Sequence, residues 1–244
     1  MTTLLMTLER HEMKITVDSR LRLRDIPLDF ECIIRQRLTF ANPKFEEAER
    51  MNRWTGGIDP QLFYWQKTRD GGLILPRGYT SQLTQTCRGR GVHYELKDLT
   101  RTLTDVPFEF KGELRPYQEK AVMAALRRRF GVIQAPTGSG KTIMALRIIA
   151  DRQQPALVLV HTRELLNQWL DRIGTFLRIP RQEIGQIGGG KQTIGDRITV
   201  ALVQSLYKCA QDVAPKVGFL VVDECHRCPS RTFVEAVTGF DSKY

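Results

Sequence analysis

Two patterns of apolar and polar positions divide the chain. From about residue 113 onward, short apolar runs at 132–134, 156–160, 198–202 and 218–222 alternate with segments of helical period at 118–129, 142–150, 163–176 and 205–210. Apolar strands separated by helices predict a parallel sheet covered on both faces, an α/β lobe. The first hundred residues read differently. Residues 14–23 alternate as a strand or hairpin. Pro27 opens a helical pattern through Phe30, Ile33, Ile34 and Leu38, which Asn42-Pro43 breaks. A short charged helix at 45–51 follows, then strands at 62–68 and 72–75 joined by Arg69-Asp70-Gly71, a helix at 80–88 and a strand at 92–96. The prediction is a small α+β domain over 1–98, roughly β-α-β-β-α-β, a linker over 99–112, where polar and turn-forming residues gather, and the α/β lobe over 113–244.

Composition agrees with globular domains: of 244 residues, 41% are apolar and 26% charged. No apolar run approaches the ~18 residues of a membrane span, and residues 1–9 lack a signal-peptide pattern. The expectation is a soluble, intracellular protein with no membrane partner. Five cysteines without framework spacing suit reduced thiols, and the Cys225/Cys228 pair by itself does not make a metal or redox site. The net charge of +10 is unevenly placed. Residues 1–110 hold 17 basic against 15 acidic side chains, and residues 111–244 hold 20 against 12. The basic excess travels with the α/β half and suits a polyanionic partner. Part of it, Arg127-Arg128-Arg129, equally suits the C-terminal end of a helix.

The chemistry is concentrated at Ala135-Pro136-Thr137-Gly138-Ser139-Gly140-Lys141-Thr142, between an apolar run and an amphipathic helix. A strand that turns through Gly138 and Gly140 into a helix N-terminus aims successive backbone N–H groups at one point, and the helix dipole favours negative charge there. Nucleotide phosphates fit such a nest. Lys141 would reach the β- and γ-phosphates, and the Thr142 hydroxyl would ligate Mg2+. Ala135 stands where the general pattern has glycine. Downstream, the apolar run 219–222 ends in Asp223-Glu224-Cys225-His226. That arrangement places two carboxylates at the C-terminal edge of the sheet, where the phosphate loop also lies. Asp223 would hold Mg2+ through its water shell, and Glu224 would orient and deprotonate an attacking water.

With both motifs in order, residues 114–226 resemble superfamily 2 helicases and translocases, in which Asp223-Glu224-Cys225-His226 is a DExH signature. Leu114-Arg115-Pro116-Tyr117-Gln118 is similar to the family's adenine-recognition element, which implies roles for Arg115 and Gln118 in nucleotide binding. The run from His161 to Trp169 resembles motif Ia and implies a nucleic-acid backbone contact through Thr162 and Arg163, with Leu165, Leu166 and Trp169 in the core. Gly188-Gly189-Gly190-Lys191 is similar to motif Ib, which implies Gly189 and Lys191 as contacts; taken by itself the segment reads first as a flexible turn. Residues 199–206 are similar to motif Ic, with Gln204 and Ser205 near a bound strand. The combination points toward the XPB, UvsW and type I restriction-like branch, whose cofactors are ATP and Mg2+ and whose partner is DNA.

The resemblance implies a RecA-like P-loop NTPase lobe, incomplete at its C-terminus. The family's Ser/Thr-Ala-Thr motif and second RecA-like lobe, with its arginine fingers, do not follow Glu224. The missing motif normally ends a strand between those of the phosphate loop and Asp223-Glu224, so a gap in the sheet is expected. The reading is a piece of a longer helicase with its second lobe in cis beyond Tyr244, or a module completed in trans; by itself it would bind ATP weakly and hydrolyse little. A non-catalytic DNA-binding module and a DExH RNA helicase remain alternatives. In residues 1–98, segments such as Arg53-Trp54-Thr55-Gly56-Gly57 are reminiscent of the small domain of UvsW-like proteins, a DNA-engaging element or a stabilising appendage. Phe63, Tyr64 and Trp65 suit either packing or base stacking.

Overall fold

The computed structural model describes residues 12–227 and 231–244, and the chain divides into two compact units, Met1–Leu99 and Thr100–Tyr244. The first unit runs β1 (Met13–Val17), β2 (Leu21–Arg24), α1 (Leu28–Arg37), β3 (Thr39–Ala41), α2 (Pro43–Arg50), β4 (Gln61–Phe63), β5 (Gln66–Lys67), β6 (Leu73–Leu75), α3 (Thr80–Arg90) and β7 (Tyr94–Asp98). Its main sheet has the order β5-β6-β2-β1-β7, antiparallel except for the β1–β7 pair. Alternation in β1 buries Met13, Ile15 and Val17, as period-two side chains require. These pack with Phe30 and Ile34 of α1 and Leu83 and Cys87 of α3 in one core. Asn42 caps α2 by accepting the Lys44 N–H, with Pro43 at the first helical position.

The strand expected over 62–68 is divided. Its first part, β4, pairs with β3 in a separate two-stranded sheet, and its second part, β5, forms the hairpin with β6. Phe63 and Tyr64 are exposed, whereas Trp65 is half-buried, donates through Nε1 to Thr39 Oγ1 at 3.0 Å and lies under the Arg35 guanidinium. Trp65 is therefore the packed member of the three.

The second unit continues with α4 (Pro116–Leu126), α5 (Lys141–Arg152), β8 (Ala156–Val160), α6 (Arg163–Leu177), β9 (Gly185–Gly188), β10 (Lys191–Thr193), β11 (Ile198–Leu202), α7 (Val203–Leu206), α8 (Ala210–Val213), β12 (Phe219–Val222) and α9 (Arg231–Val237). The sheet order is β10-β9-β11-β8-β12, with β9, β11, β8 and β12 parallel and β10 antiparallel at one edge. Every residue of β8 and β11 is buried. Ala156, Val158 and Val160 face a core with α5 and α6, and Leu157 and Leu159 face one that includes Leu206, Val213 and Phe233. Both faces are covered, which is why these strands read as continuous apolar runs.

Three expectations change. Residues 132–134 form no strand, and Val132 is 76% exposed. A strand needs a neighbour to pair its N–H and C=O groups. Beyond β12 the neighbour is the chain's own last residues: Tyr244 accepts from the Leu220 N–H at 2.9 Å and donates to the Gly218 carbonyl at 3.3 Å. That pairing meets only the first half of β12. Second, residues expected as a linker are bound to this unit. Arg101 forms an isolated bridge with Ser242 and a two-point ion pair with Asp241 at 2.9 Å, and Phe108 and Phe110 pack on the α5–α6 core. The buried Gln154 amide exchanges hydrogen bonds with the Leu103 backbone, satisfying both its ends. Third, β9 and β10 form a hairpin that the apolar pattern did not announce, because β10 is polar and exposed. Among the described residues no helix is long and apolar enough to cross a membrane.

Candidate functional site

Gly138 (φ 80°) and Gly140 (φ 81°) hold the loop in left-handed conformations, and Gly140 is the N-cap of α5. Side chains other than glycine avoid that region, so the two glycines let the loop double back into the helix. A Cβ on Gly140 would also lie 2.4 Å from Gln118 Nε2. Lys141 lies across the loop, its Nζ donating to the carbonyls of Ala135 at 3.2 Å and Pro136 at 3.4 Å. Ser139 Oγ is buried with no hydrogen-bond partner. An orphaned hydroxyl, a lysine and unpaired helix N-terminal N–H groups together form a donor set that fits an anion. Pro136 and Thr137 line an open cleft of about 510 Å³ beside the loop, with Tyr117, Ala121, Ile133 and Met144 as its other main walls.

α4 is pinned to this loop. Tyr117 Oη donates to the Ser139 carbonyl at 3.0 Å, and Gln118 Nε2 donates to the same oxygen at 2.8 Å. Gln118 Oε1 accepts the Arg115 N–H at 2.9 Å, so both ends of this 6%-exposed amide are engaged with backbone. Gln118 thus holds the loop against α4, and reading a base edge would require it to exchange those bonds. Arg115 is exposed at the N-cap of α4. Tyr117, an aromatic wall of the cleft, had only its place beside Gln118 to mark it in the sequence.

The acids follow β12. The Asp223 N–H donates to the Leu159 carbonyl at 3.0 Å, continuing the parallel ladder one residue beyond the strand. Glu224 is left-handed (φ 54°), a conformation that costs a non-glycine residue roughly 1–2 kcal/mol. Asp223 Oδ1 accepts the Glu224 N–H at 3.0 Å, which fixes the turn. Asp223 Oδ2 accepts the Trp169 Nε1–H at 2.8 Å. Glu224 Oε2 lies 3.2 Å from His226 Nδ1. α5, begun by the phosphate loop, packs against β12 with Arg152 at its C-terminal end over Phe219 at the start of the strand, so the helix runs back along β12 and loop and acids belong to one end of the sheet. Thr142, in the first turn of α5, and Asp223 offer one hydroxyl and one carboxylate. That set fits Mg2+, which is held by few protein oxygens together with substrate phosphates and water. Among the described residues no cluster of three or more His, Cys, Asp or Glu side chains could hold a metal without such help. Cys228 lies outside the described residues.

The candidate nucleic-acid residues come from the same edge. Thr162 follows β8 and caps α6, its Oγ1 accepting the Leu165 N–H at 3.2 Å, and Arg163 is exposed in the first turn. The Glu164 backbone N–H and the Thr162 hydroxyl hold the Glu164 carboxyl below its ordinary range. Gly188, Gly189 and Gly190 (φ 119°, 65° and 86°) make the tight β9–β10 turn, with Lys191 exposed just beyond it. Gln204 and Ser205 lie in α7, directly after β11, Gln204 exposed and Ser205 half-buried. Four parallel strands therefore deliver Thr162, Gly189, Gln204 and Asp223 at their common C-terminal edge. The cleft walls do not include Asp223 or Glu224, so cleft and acids are neighbouring parts of that edge, not one cavity.

Residues 111–244 match the family model described as type III restriction enzyme, res subunit. The chain is 35% identical over 153 residues to a protein named DNA 3'-5' translocase XPB2 of Sulfurisphaera tokodaii, covering 62% of this chain and 34% of that one. It is 31% identical over 146 residues to a probable helicase, D10, of Escherichia phage T5, covering 59% of this chain and 31% of that one. The chain thus spans about a third of the length of these curated relatives. Among solved structures, the UvsW helicase of bacteriophage T4 has the same fold across both units, with a TM-score of 0.69, 18% identity, and coverage of 95% of this chain and 89% of that one. The chain belongs to the family described as type III restriction enzyme, res subunit.

Proposed function

We propose that the chain is the first motor lobe, with an accessory unit, of an ATP-dependent DNA helicase or translocase. The observation that carries this reading is the common edge: phosphate loop, acids and candidate nucleic-acid residues all follow the C-terminal ends of one parallel sheet or begin the helix packed on it. The N–H groups of Gly138, Gly140, Lys141 and Thr142, with the Lys141 ammonium, bind the nucleotide phosphates, and Tyr117 flanks the base. Thr142 and Asp223 hold Mg2+, which when bound neutralises charge building on the phosphates. Glu224 orients the attacking water and takes its proton. Thr162, Arg163, Gly189, Lys191, Gln204 and Ser205 bind the DNA backbone, which positions a strand without reading its sequence. Hydrolysis coupled to duplex or branched-DNA remodelling is the work of this lobe with a second RecA-like lobe, whose arginines stabilise the transferring phosphoryl group.

Calorimetric titration of the chain with ATP and Mg2+ tests the reading. Saturable, Mg2+-dependent binding that weakens at least about tenfold in Lys141→Ala is expected, as for loss of a charge-assisted phosphate contact. Salt-sensitive DNA affinity should survive that substitution. Equal nucleotide affinity in the wild type and Lys141→Ala would remove the site from the loop.

A further inference from the structure

Trp169 is 2% exposed on α6, among Leu166, Leu170, Ile173 and the strand residues Val158 and Val160. Its apolar neighbours explain the ring. They do not explain the N–H, which must find an acceptor when an indole is buried. The acceptor is the carboxylate of Asp223, 54 positions along the chain, at 2.8 Å. The other carboxylate oxygen takes the Glu224 N–H at 3.0 Å.

Two donors on two different elements, α6 and the turn after β12, therefore fix the rotation of this carboxylate. Each carboxylate oxygen accepts about two hydrogen bonds or ligand contacts, so both retain one further direction. Close packing locks the indole plane, and the indole fixes the direction in which Asp223 can offer those remaining lone pairs. We propose that Trp169 is a positioning residue for the magnesium-binding acid: through its N–H it holds Asp223 in the orientation that receives Mg2+ and its water shell. The proposal rests on the reading of Asp223 as the magnesium acid. It assigns to Trp169 a role beyond the core packing that its helical spacing predicts. Hydrogen-bond partners of a metal-binding group orient it, and their loss typically costs about 10- to 100-fold in metal affinity.

Trp169→Phe keeps an aromatic ring and removes the donor. Binding of a fluorescent ATP analogue to the full 244-residue chain, titrated against Mg2+, reads the effect. The expected result is a half-saturating Mg2+ concentration about tenfold above wild type, with nucleotide affinity in EDTA unchanged. Pure loss of packing would weaken both alike. A second measurement keeps Trp169 in place. The chain has three tryptophans, and in a Trp54→Phe/Trp65→Phe background, under excitation selective for indole over tyrosine, only Trp169 emits. Its emission should shift when Mg2+ joins the nucleotide and should not shift when Asp223→Asn is added. A folded Trp169→Phe with wild-type Mg2+ dependence overturns the assignment. If that variant does not fold, Trp169 emission indifferent to Mg2+ overturns it instead. Wild-type binding of nucleotide without any Mg2+ dependence removes the reading of Asp223 beneath it, whereas normal Mg2+ dependence in both chains removes only Trp169.

Discussion

Residues 131–135 and β8 have similar claims to be strands: Gly-Val-Ile-Gln-Ala in one, Ala-Leu-Val-Leu-Val in the other. β8 is paired on both sides, by β11 and β12, and every residue is buried. The segment 131–135 carries no strand and leaves Val132 in solvent. Apolar, β-branched sequence is therefore insufficient, because what stabilises a strand is the neighbour that satisfies its backbone and packs its faces. On the nucleotide side of this sheet, among the described residues, the outer edge of β12 is paired only along its first half, by Tyr244.

The largest effect expected from this asymmetry is on turnover. ATP hydrolysis by the chain alone should lie about 10³-fold or more below that of the chain joined to a second RecA-like lobe with its arginines, measured by phosphate release with DNA present. Equal rates would mean that the open side is already a complete site. Next come the two segments themselves. Leu159→Ala should cost about 2–5 kcal/mol in urea unfolding, because it leaves a cavity between β8 and the second core, whereas Val132→Ala should stay within about 0.5 kcal/mol. Comparable losses would show that residues 131–135 are as well packed as β8. The smallest effect concerns the edge. Asp241→Asn weakens the two-point pair with Arg101 that anchors residues 241–244 beside β12, and it should cost about 0.2–1 kcal/mol, less at high salt, since the pair is partly exposed. No change at low salt would mean that backbone pairing alone holds the chain's last residues there.

The same contrast explains what could be read from the residues. Elements whose causes are local were legible. The charged helix expected at 45–51 is α2, begun two residues earlier at Pro43, the helical period after Thr162 announced α6, and the continuous apolar runs at 156–160 and 198–202 are strands to the residue. Strand partners are not local. The run at 62–68 looked continuous, yet β4 pairs with β3 and β5 with β6. Residues 99–112 looked like a linker because the pairing of Arg101 with Asp241, 140 positions away, leaves no mark on either neighbourhood. The site divides in the same way. The phosphate loop and the acids announce themselves by spacing, whereas the Trp169–Asp223 bond joins two helical and strand patterns that are each complete without it. The resemblance marked Gln118 as a nucleotide-binding residue, but its engagement with the Ser139 carbonyl depends on how α4 docks and leaves no mark in the sequence.

Hydrogen exchange with and without ATP and Mg2+ tests most directly whether the two motifs form one site. Amides of residues 137–142 and of Asp223 and Glu224 should slow together when both ligands are present, and the joint slowing should disappear in Lys141→Ala and in Asp223→Asn. Protection confined to one of the two segments, or joint protection that persists in both variants, would contradict a single nucleotide-magnesium site at this edge of the sheet.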